Sequence, residues 1–246
     1  MILQVQNLHK QFGGVRAVRG VDLALADKQI HAVIGPNGAG KSTLLAQLAG
    51  EIAPDRGRIV FAGRDITGLA AHKRAQLGLA RCFQTADVIA PMTLLENATL
   101  ALLAAAGNSF NCWSPLARDA DLRARAMQLL EEVGLAHDAE LRAGEAAHGV
   151  RRQLEIAMAL APRPKLLLLD EPMAGLGKSE SAAMIALLKK RKGSAAMLLI
   201  EHDMDAVFAL ADTASVLVDG RILAAGSTAE IRGNAEVQRA YLGTPQ

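Results

Sequence analysis

The sequence predicts an α/β fold with a parallel β-sheet core, an antiparallel β layer built by the N-terminal strands, and an inserted helical subdomain. Three observations support this prediction. Both ends of the chain alternate short apolar strand patterns with helical patterns, whereas the middle is helical. A glycine-rich loop lies directly between a strand and a helix near the N-terminus. The composition, 51% hydrophobic but only 3% aromatic in 246 residues, indicates an ordered chain with an aliphatic core.

The N-terminal third contains the strands of the antiparallel layer and the first strand of the core. Apolar residues alternate with small or polar ones over 21–26, which is typical of a half-buried strand. The runs 29–34 and 58–61 are short and β-type. Between them, leucines at helical spacing over 44–48 predict a helix that ends at Gly50.

The middle of the chain predicts helices, and the C-terminal part returns to alternating strands and helices. From Thr93 to Ala161 the apolar spacing is helical, and the polar stretch 142–149 divides two helices. We therefore expect one domain, 1–246, whose α/β core spans 1–92 and 162–246 and whose helical subdomain spans 93–161. The C-terminal elements are predicted as strand 165–170, helix 179–192, strand 196–200, helix 203–211, and a hairpin of strands 215–218 and 222–225.

The glycine-rich loop matches the phosphate-binding Walker A pattern, with the required strand before it and helix after it. Glycines let backbone N–H groups converge on phosphate oxygens, and the helix that follows points its positive end at the anion. Lys41 supplies a cation to the β- and γ-phosphates, and the Ser42 hydroxyl is expected to ligate Mg²⁺. The predicted nucleotide-binding segment is Gly35, Pro36, Asn37, Gly38, Ala39, Gly40, Lys41, Ser42 and Thr43.

A second candidate site lies where an apolar strand ends in two carboxylates. Four leucines, 166–169, precede Asp170 and Glu171, and such a uniform strand is typical of a parallel sheet buried on both faces. With a phosphate loop in the same chain, Asp170 is expected to hold the Mg²⁺ shell. Glu171 is the candidate general base for water that attacks the γ-phosphate.

These motifs, in this order, resemble the ATP-binding subunit of an ABC transporter over nearly the whole chain. Gln84 fits the family's Q-loop and His202 its switch histidine, while Gly149 fits its signature segment. The resemblance implies that Phe12 stacks on adenine and that Val18 contacts the nucleotide. It also implies ATP and Mg²⁺ as ligands, with Gln84 near the metal and Lys41, Glu171 and His202 as the catalytic residues.

Four segments resemble the branched-chain amino acid importers within that family. They are 12–18, 153–157, 171–176 and 201–204. The resemblance implies an ATP-hydrolysing subunit of the larger type, peripheral on the cytoplasmic face of the plasma membrane. Its partners would be a second ATP-binding subunit, in a homodimer or heterodimer, membrane permease subunits and, indirectly, a solute-binding protein. Urea, amide or carboxylate transport, lipid export, and nucleotide binding with little hydrolysis stay as alternatives.

The chain departs from the usual Leu-Ser-x-Gly-Gln signature of this family. Ala147 replaces the serine and Val150 the glutamine, so the serine hydroxyl that would reach the γ-phosphate in the opposite site is missing. In the loop after Glu171, Gly177 stands where an acidic or amide residue is usual. Two hypotheses follow. Either this signature forms a weaker second site beside a competent one, or Ala147 is a tolerated variant and both sites work.

Charge and cysteine content narrow the function classes. A net charge of +2 argues against a dedicated nucleic-acid binder, and we expect no nucleic-acid partner. The longest apolar runs are far shorter than the roughly 20 residues of a spanning helix. Cys82 and Cys112 have no ligand spacing and are interpreted as free thiols in a cytosolic protein. One phosphate loop and no long heptad run argue against the ABC ATPases that act on ribosomes or DNA.

Overall fold

The computed structural model describes residues 1–82, 88–106 and 120–242. The strands in this part of the chain are β1 (Leu3–Phe12), β2 (Val15–Leu25), β3 (Ile30–Ile34), β4 (Arg56–Phe61), β5 (Arg64–Asp65), β6 (Leu79–Cys82), β7 (Leu166–Asp170), β8 (Ala196–Ile200), β9 (Thr213–Val218) and β10 (Arg221–Ser227). The helices are α1 (Lys41–Ala49), α2 (Ala71–Gln76), α3 (Leu94–Ala105), α4 (Ala120–Glu132), α5 (His148–Leu160), α6 (Lys178–Arg191), α7 (Met204–Leu210), α8 (Thr228–Gly233) and α9 (Ala235–Leu242), with a short 3₁₀ turn at Ala136–Asp138.

The main sheet has six strands in the order β10-β9-β3-β8-β7-β6. All neighbours are parallel except the β9–β10 hairpin at one edge. Strands β3, β7 and β8 are buried along their whole length, which explains why their sequences are apolar except for His31 in β3 and Asp170 at the end of β7. Because these strands are parallel and adjacent, the residues that follow them meet at one edge of the sheet.

The second sheet is the predicted antiparallel layer, in the order β2-β1-β4-β5. Its inward side chains pack with α1 and one face of the main sheet into one apolar core. The helices α3–α7 pack on the other face in a second core. The phosphate loop at 35–40 therefore directly follows β3, a strand that is buried between two apolar layers.

The elements predicted above are present in the described residues. Most boundaries shift by one to three residues, but β2 begins at Val15, six residues before the predicted start at 21. Gly50 ends α1 with a left-handed backbone, as expected for a C-terminal glycine. Strand β6 was not predicted. Its four residues include Ala80 and Arg81 and show no alternation, so it has no pattern of its own and gains its backbone pairing from β7.

Candidate functional site

The backbone of the phosphate loop packs closely against three other backbone segments, at Ala17, Leu217 and Gly220. A Cβ on Gly35 would overlap the carbonyl oxygen of Leu217, and a Cβ on Gly40 would overlap that of Ala17. Gly40 also has φ +101°, a conformation that favours glycine. The Gly220 N–H, from the β9–β10 turn, donates to the Ala39 carbonyl over 3.0 Å. These contacts explain why no side chain fits at either glycine.

Lys41 begins α1 and is almost fully buried, at 6% exposure. Its ammonium donates to the carbonyl oxygens of Gly35 and Pro36, at 2.7 and 3.0 Å. Burial lowers the pKa of Lys41, and the nearby carboxylates of Glu171 and Asp170 oppose that shift. The ammonium therefore lies inside the loop, where an incoming phosphate can take the place of carbonyl partners.

Asp170 ends β7, and its carboxylate is only partly satisfied. Its Oδ2 accepts from Arg81 Nη2 at 3.0 Å, whereas the buried Oδ1 has no hydrogen-bond partner in the described part of the chain. Arg81 also pairs with Glu51 on its other side. Burial raises the pKa of Asp170, and Arg81 opposes the shift. A buried carboxylate oxygen without a donor is a position that a cation can satisfy.

Glu171 and His202 follow adjacent parallel strands and face the loop together. Glu171 has φ +46°, which is rare for a residue with a side chain and marks backbone strain. Its N–H donates to the Ile200 carbonyl at 3.0 Å, so β8 holds this conformation in place. The Nδ1 atom of His202 lies 3.8 Å from Glu171 Oε1. Both residues line a cavity of about 330 Å³ with Gly35, Pro36 and Asn37.

Two buried charged side chains at this edge were not singled out from the sequence. Arg152 on α5 donates to the backbone carbonyls of Asp170 and Glu171, at 2.6 and 3.2 Å, and pairs with Glu155. Glu201 follows β8 and accepts from backbone N–H groups of both strand-end loops. A signal for Glu201 was available, since a carboxylate directly after an apolar strand is the pattern that identified Asp170.

A cavity of about 400 Å³ lies over the phosphate loop, and six of the twelve predicted nucleotide residues line it: Asn37, Gly38, Gly40, Lys41, Ser42 and Thr43. Val15, Arg16 and Arg19 from β2 and Glu171 also line it, whereas Gly35 and Pro36 line the smaller cavity and Ala39 is buried in the apolar core. Phe12 is exposed and pairs with Val15 across the β1–β2 hairpin, so it lies at the rim.

Three other predicted site residues, Val18, Gly149 and Gln84, either lie away from this cavity or fall outside the residues that the structure describes. Val18 is not brought into the cavity, because β2 alternation turns its side chain into the apolar core. Gly149 is in the first turn of α5, beside the Glu180 side chain rather than in the cavity. Gln84 and Cys112 lie outside the residues that the structure describes, whereas Cys82 is a buried free thiol.

A separate, mainly apolar groove of about 510 Å³ runs between the main sheet and the helical region. It is lined by β6, the end of α3 and the outer face of α5. Arg81, Cys82 and Glu155 are among its lining residues, and two of these three belong to the ion pairs described above. The groove is therefore lined by Arg81, which contacts the Asp170 carboxylate, and by Glu155, which pairs with Arg152.

Comparisons with known proteins agree with this geometry. A family model described as ABC transporter matches residues 18–174. The chain belongs to the ABC transporter ATP-binding family. A second model, described as branched-chain amino acid ATP-binding cassette transporter, matches residues 221–245.

Full-length relatives extend the similarity over the whole cassette. BraF of Pseudomonas aeruginosa, a high-affinity branched-chain amino acid transport ATP-binding protein, is 40% identical over 98% of both chains. LivG of Salmonella typhimurium, with the same description, is 38% identical over 98% of both. The crystal structure of the ADP conformation of an ABC transporter cassette has a TM-score of 0.87 and 29% identity over 98% of each chain.

The protein is therefore an ATP-binding cassette with ATPase activity of the transporter type. Cassettes of this family act with membrane permease subunits. Among the residues that the structure describes, no helix of this cassette combines the length and apolar composition needed to span a bilayer.

Proposed function

We propose that this cassette hydrolyses ATP to power uptake of branched-chain amino acids through separate permease subunits. The observation that carries the ATPase part is the meeting of the phosphate loop, Asp170, Glu171 and His202 at one edge of the parallel sheet. The solute class is supported by the C-terminal match at 221–245 and by the relatives BraF and LivG. We place the cassette on the cytoplasmic face of the membrane, where ATP is available.

Each strand-end residue has a separate task in this proposal. Lys41 and the N–H groups of residues 38–43 bind the phosphates and neutralise the charge that develops on the γ-phosphate. Glu171 accepts a proton from the attacking water, and His202 contacts the γ-phosphate from the neighbouring loop. Phe12 stacks on the adenine at the rim of the cavity. A second subunit closes the exposed edge of this site. In return, the start of α5 in this chain, with Gly149, faces the nucleotide site of that second subunit.

The residues present fit a Mg²⁺ ion. Ser42 offers a hydroxyl beside the cavity, and Asp170 offers a buried oxygen without a hydrogen-bond donor in the described residues. Hard oxygen ligands of this kind suit Mg²⁺, which keeps waters and phosphate oxygens as its other ligands. When bound, the ion withdraws charge from the β- and γ-phosphate oxygens. We propose Gln84 as a further contributor from the Q-loop.

Replacing Glu171 by Gln tests the hydrolytic part directly. In the transporter assembled with its permease subunits, we expect kcat for ATP to fall about 10²-fold or more, with nucleotide affinity retained, because a general base contributes on that order. Glu131→Gln, an exposed carboxylate change on α4, is the matched control and should leave kcat unchanged. Equal rates for Glu171→Gln and wild type would exclude the proposed role of Glu171.

We propose that the groove along β6 receives a permease segment. Its lining is mainly apolar at α3 and α5, and it shares Arg81 and Glu155 with the ion pairs beside Asp170. Ala104→Glu would place a charge in the groove. We expect this change to lower uptake and permease-stimulated ATPase activity while ATP binding by the isolated cassette stays normal. Normal uptake by Ala104→Glu would remove the groove as the docking site.

The identity of the second ATP-binding subunit can be tested by mass in solution. Glu171→Gln should trap ATP, so a dimer that forms with ATP and Mg²⁺ should persist. A nucleotide-dependent dimer of this cassette would indicate that its signature, with Ala147 and Val150, still closes on ATP. A monomer that binds ATP would indicate that the permease subunits, or a different cassette with the complete signature, are needed for closure.

A further inference from the structure

Glu201 is a fully buried carboxylate, at 0% exposure, between the two loops that carry the proposed catalytic residues. It accepts a hydrogen bond from the Met173 N–H at 2.9 Å, in the loop after β7. It also accepts from the His202 N–H at 3.1 Å, in the loop after β8, and the Asp203 N–H points to it as well. One side chain therefore joins two segments that are far apart in sequence.

Burial of an ionised carboxylate is expensive unless donors surround it. Here burial raises the pKa of Glu201, and the three backbone N–H groups oppose that shift by favouring the charged form. Backbone donors from the two loops stabilise this carboxylate, and the His202 ring nitrogen Nδ1 lies 3.9 Å from its Oε2. Any change that moves either loop would remove donors from a buried charge. Glu201 thus opposes separation of the two loops.

This bridge lies next to the reacting residues. Met173 is two residues after Glu171, and His202 directly follows Glu201. On the other side, the Glu171 N–H donates to the Ile200 carbonyl, one residue before Glu201. The two loops are hence hydrogen-bonded at two points close in sequence to Glu171 and His202, whose Oε1 and Nδ1 atoms lie 3.8 Å apart. The second of these points depends on a side chain and can be removed by substitution.

We propose that Glu201 is a positioning residue that fixes the distance between Glu171 and His202 and so sets the rate of ATP hydrolysis. This inference rests on the proposed function, because it takes Glu171 and His202 as the hydrolytic pair. Glu201 does not contact the cavity over the phosphate loop, and we expect it to leave nucleotide binding unchanged. We expect its substitution to lower kcat, since misplacement of a catalytic group by about 1 Å lowers the rate on the order of a hundredfold.

The test uses Glu201→Gln in the complete transporter. Glutamine fills the same volume, but its NH₂ group replaces one acceptor oxygen and faces a backbone donor. We expect kcat for ATP to fall about tenfold to a hundredfold, with KM and nucleotide affinity within about twofold of wild type. Asp203→Asn is the matched control. The backbone N–H of Asp203 that points to Glu201 is unchanged in this variant, and only the exposed side chain that caps α7 is altered; asparagine caps a helix equally well. Its kcat should equal that of wild type.

A role limited to folding would give a different result. In that case Glu201→Gln would lower the melting temperature while kcat per nucleotide-binding molecule stayed at the wild-type value, and this outcome would overturn the inference. Should Glu201→Gln fail to fold, Glu201→Asp replaces it. Aspartate keeps the charge but is one methylene too short to reach both loops, so kcat should still fall and ATP binding persist. A wild-type kcat for Glu201→Asp would equally overturn the proposal.

Two further variants separate failure of this inference from failure of the proposed function. In a His202→Ala background, Glu201→Gln should cause little additional loss, since the residue that it positions is absent; full additivity would contradict the inference. Glu171→Gln serves as the reference. If it abolishes hydrolysis while Glu201→Gln behaves as wild type, only the positioning role is wrong. If Glu171→Gln hydrolyses ATP normally, the proposed function itself is wrong.

Discussion

The two ends of α1 each hold a buried cation, and the two cations are satisfied in different ways. At the N-terminus, Lys41 donates to two carbonyls of the phosphate loop beside an open cavity. At the C-terminus, Arg74 of α2 donates to four carbonyl oxygens, at distances of 2.8–3.1 Å, and is 1% exposed. Burial lowers the pKa of both groups.

The two cations differ in whether a ligand can replace their carbonyl partners. Arg74 uses its fork of donors on the carbonyls of Gln47 and Leu48 at the end of α1, where helix geometry provides few donors; the Gln47 carbonyl also accepts from the Gly50 N–H. No ligand can improve on that arrangement. Lys41 has carbonyl partners that a phosphate, with full negative charge, would outcompete. A buried charge whose donors are all used stabilises the fold, whereas a buried charge whose partners a ligand can replace forms a binding site.

Removal of the Lys41 ammonium should have the largest effect, and on activity alone. For Lys41→Met we expect ATP hydrolysis by the assembled transporter to fall about 10²-fold or more, because a preorganised cation at the phosphates is lost. The free energy of unfolding without nucleotide should stay the same or rise, since an expensive buried ammonium is removed. Lys190→Met, an exposed change near the end of α6, is the control. A large loss of stability in Lys41→Met would contradict the comparison.

Removal of the Arg74 guanidinium should give the opposite pattern. Arg74→Met removes a donor from four carbonyls, two in buried and two in partly buried hydrogen bonds. We expect a loss of about 3 kcal/mol or more in the free energy of unfolding, measured by urea titration. The KM for ATP of the folded fraction should be unchanged, because α1 presents its other end to the nucleotide. Lys73→Met, the exposed neighbour on α2, should change stability by less than about 0.5 kcal/mol. A raised KM in Arg74→Met with normal stability would refute this division.

A third buried basic side chain, His31, makes the stability of the fold depend on pH. Its ring nitrogens hydrogen-bond to the Thr213 and Ser215 hydroxyls, and burial lowers the pKa of His31 to about 4. The unfolded chain protonates this group near its ordinary pKa of about 6.5, so its contribution is complete above that pH and is lost as the pH falls toward 4. Between pH 7 and pH 5 the wild type should lose about 2 kcal/mol of stability through this residue.

His31→Gln tests the origin of that loss. The variant should lack this share of the acid sensitivity in urea titrations at pH 7 and pH 5. His137→Gln, a change at an exposed histidine, should keep the wild-type dependence. If His31→Gln and wild type lose equal stability over this interval, another group carries the effect.

The sequence allowed prediction of what depends on local pattern and missed what depends on distant pairing. The phosphate loop and Asp170-Glu171 were recognisable because strand, turn and helix signals surround them directly. The pair of Arg81 with Asp170 spans 89 residues of sequence and depends on β6 pairing with β7, which no periodicity in β6 announces. The resemblance predicts that Val18 contacts the nucleotide, but its register in β2 turns its side chain into the core. Family resemblance locates a segment, whereas register decides which side chain of that segment reaches the site.

The smallest expected effect concerns the start of α5, whose N-terminus resembles that of α1. Like α1, α5 begins without a side-chain cap, since Ala147 precedes it and offers no acceptor to its first N–H groups. Ala147→Ser would supply a hydroxyl, and we expect it to stabilise the cassette by about 0.5–1 kcal/mol. Together with Val150→Gln it also restores the usual signature. An altered ATPase rate or nucleotide occupancy in the assembled transporter would support a weaker second site formed by this signature. An unchanged rate and occupancy would show that the open N–H groups of α5 suffice, as the open N–H groups of α1 do at the phosphate loop.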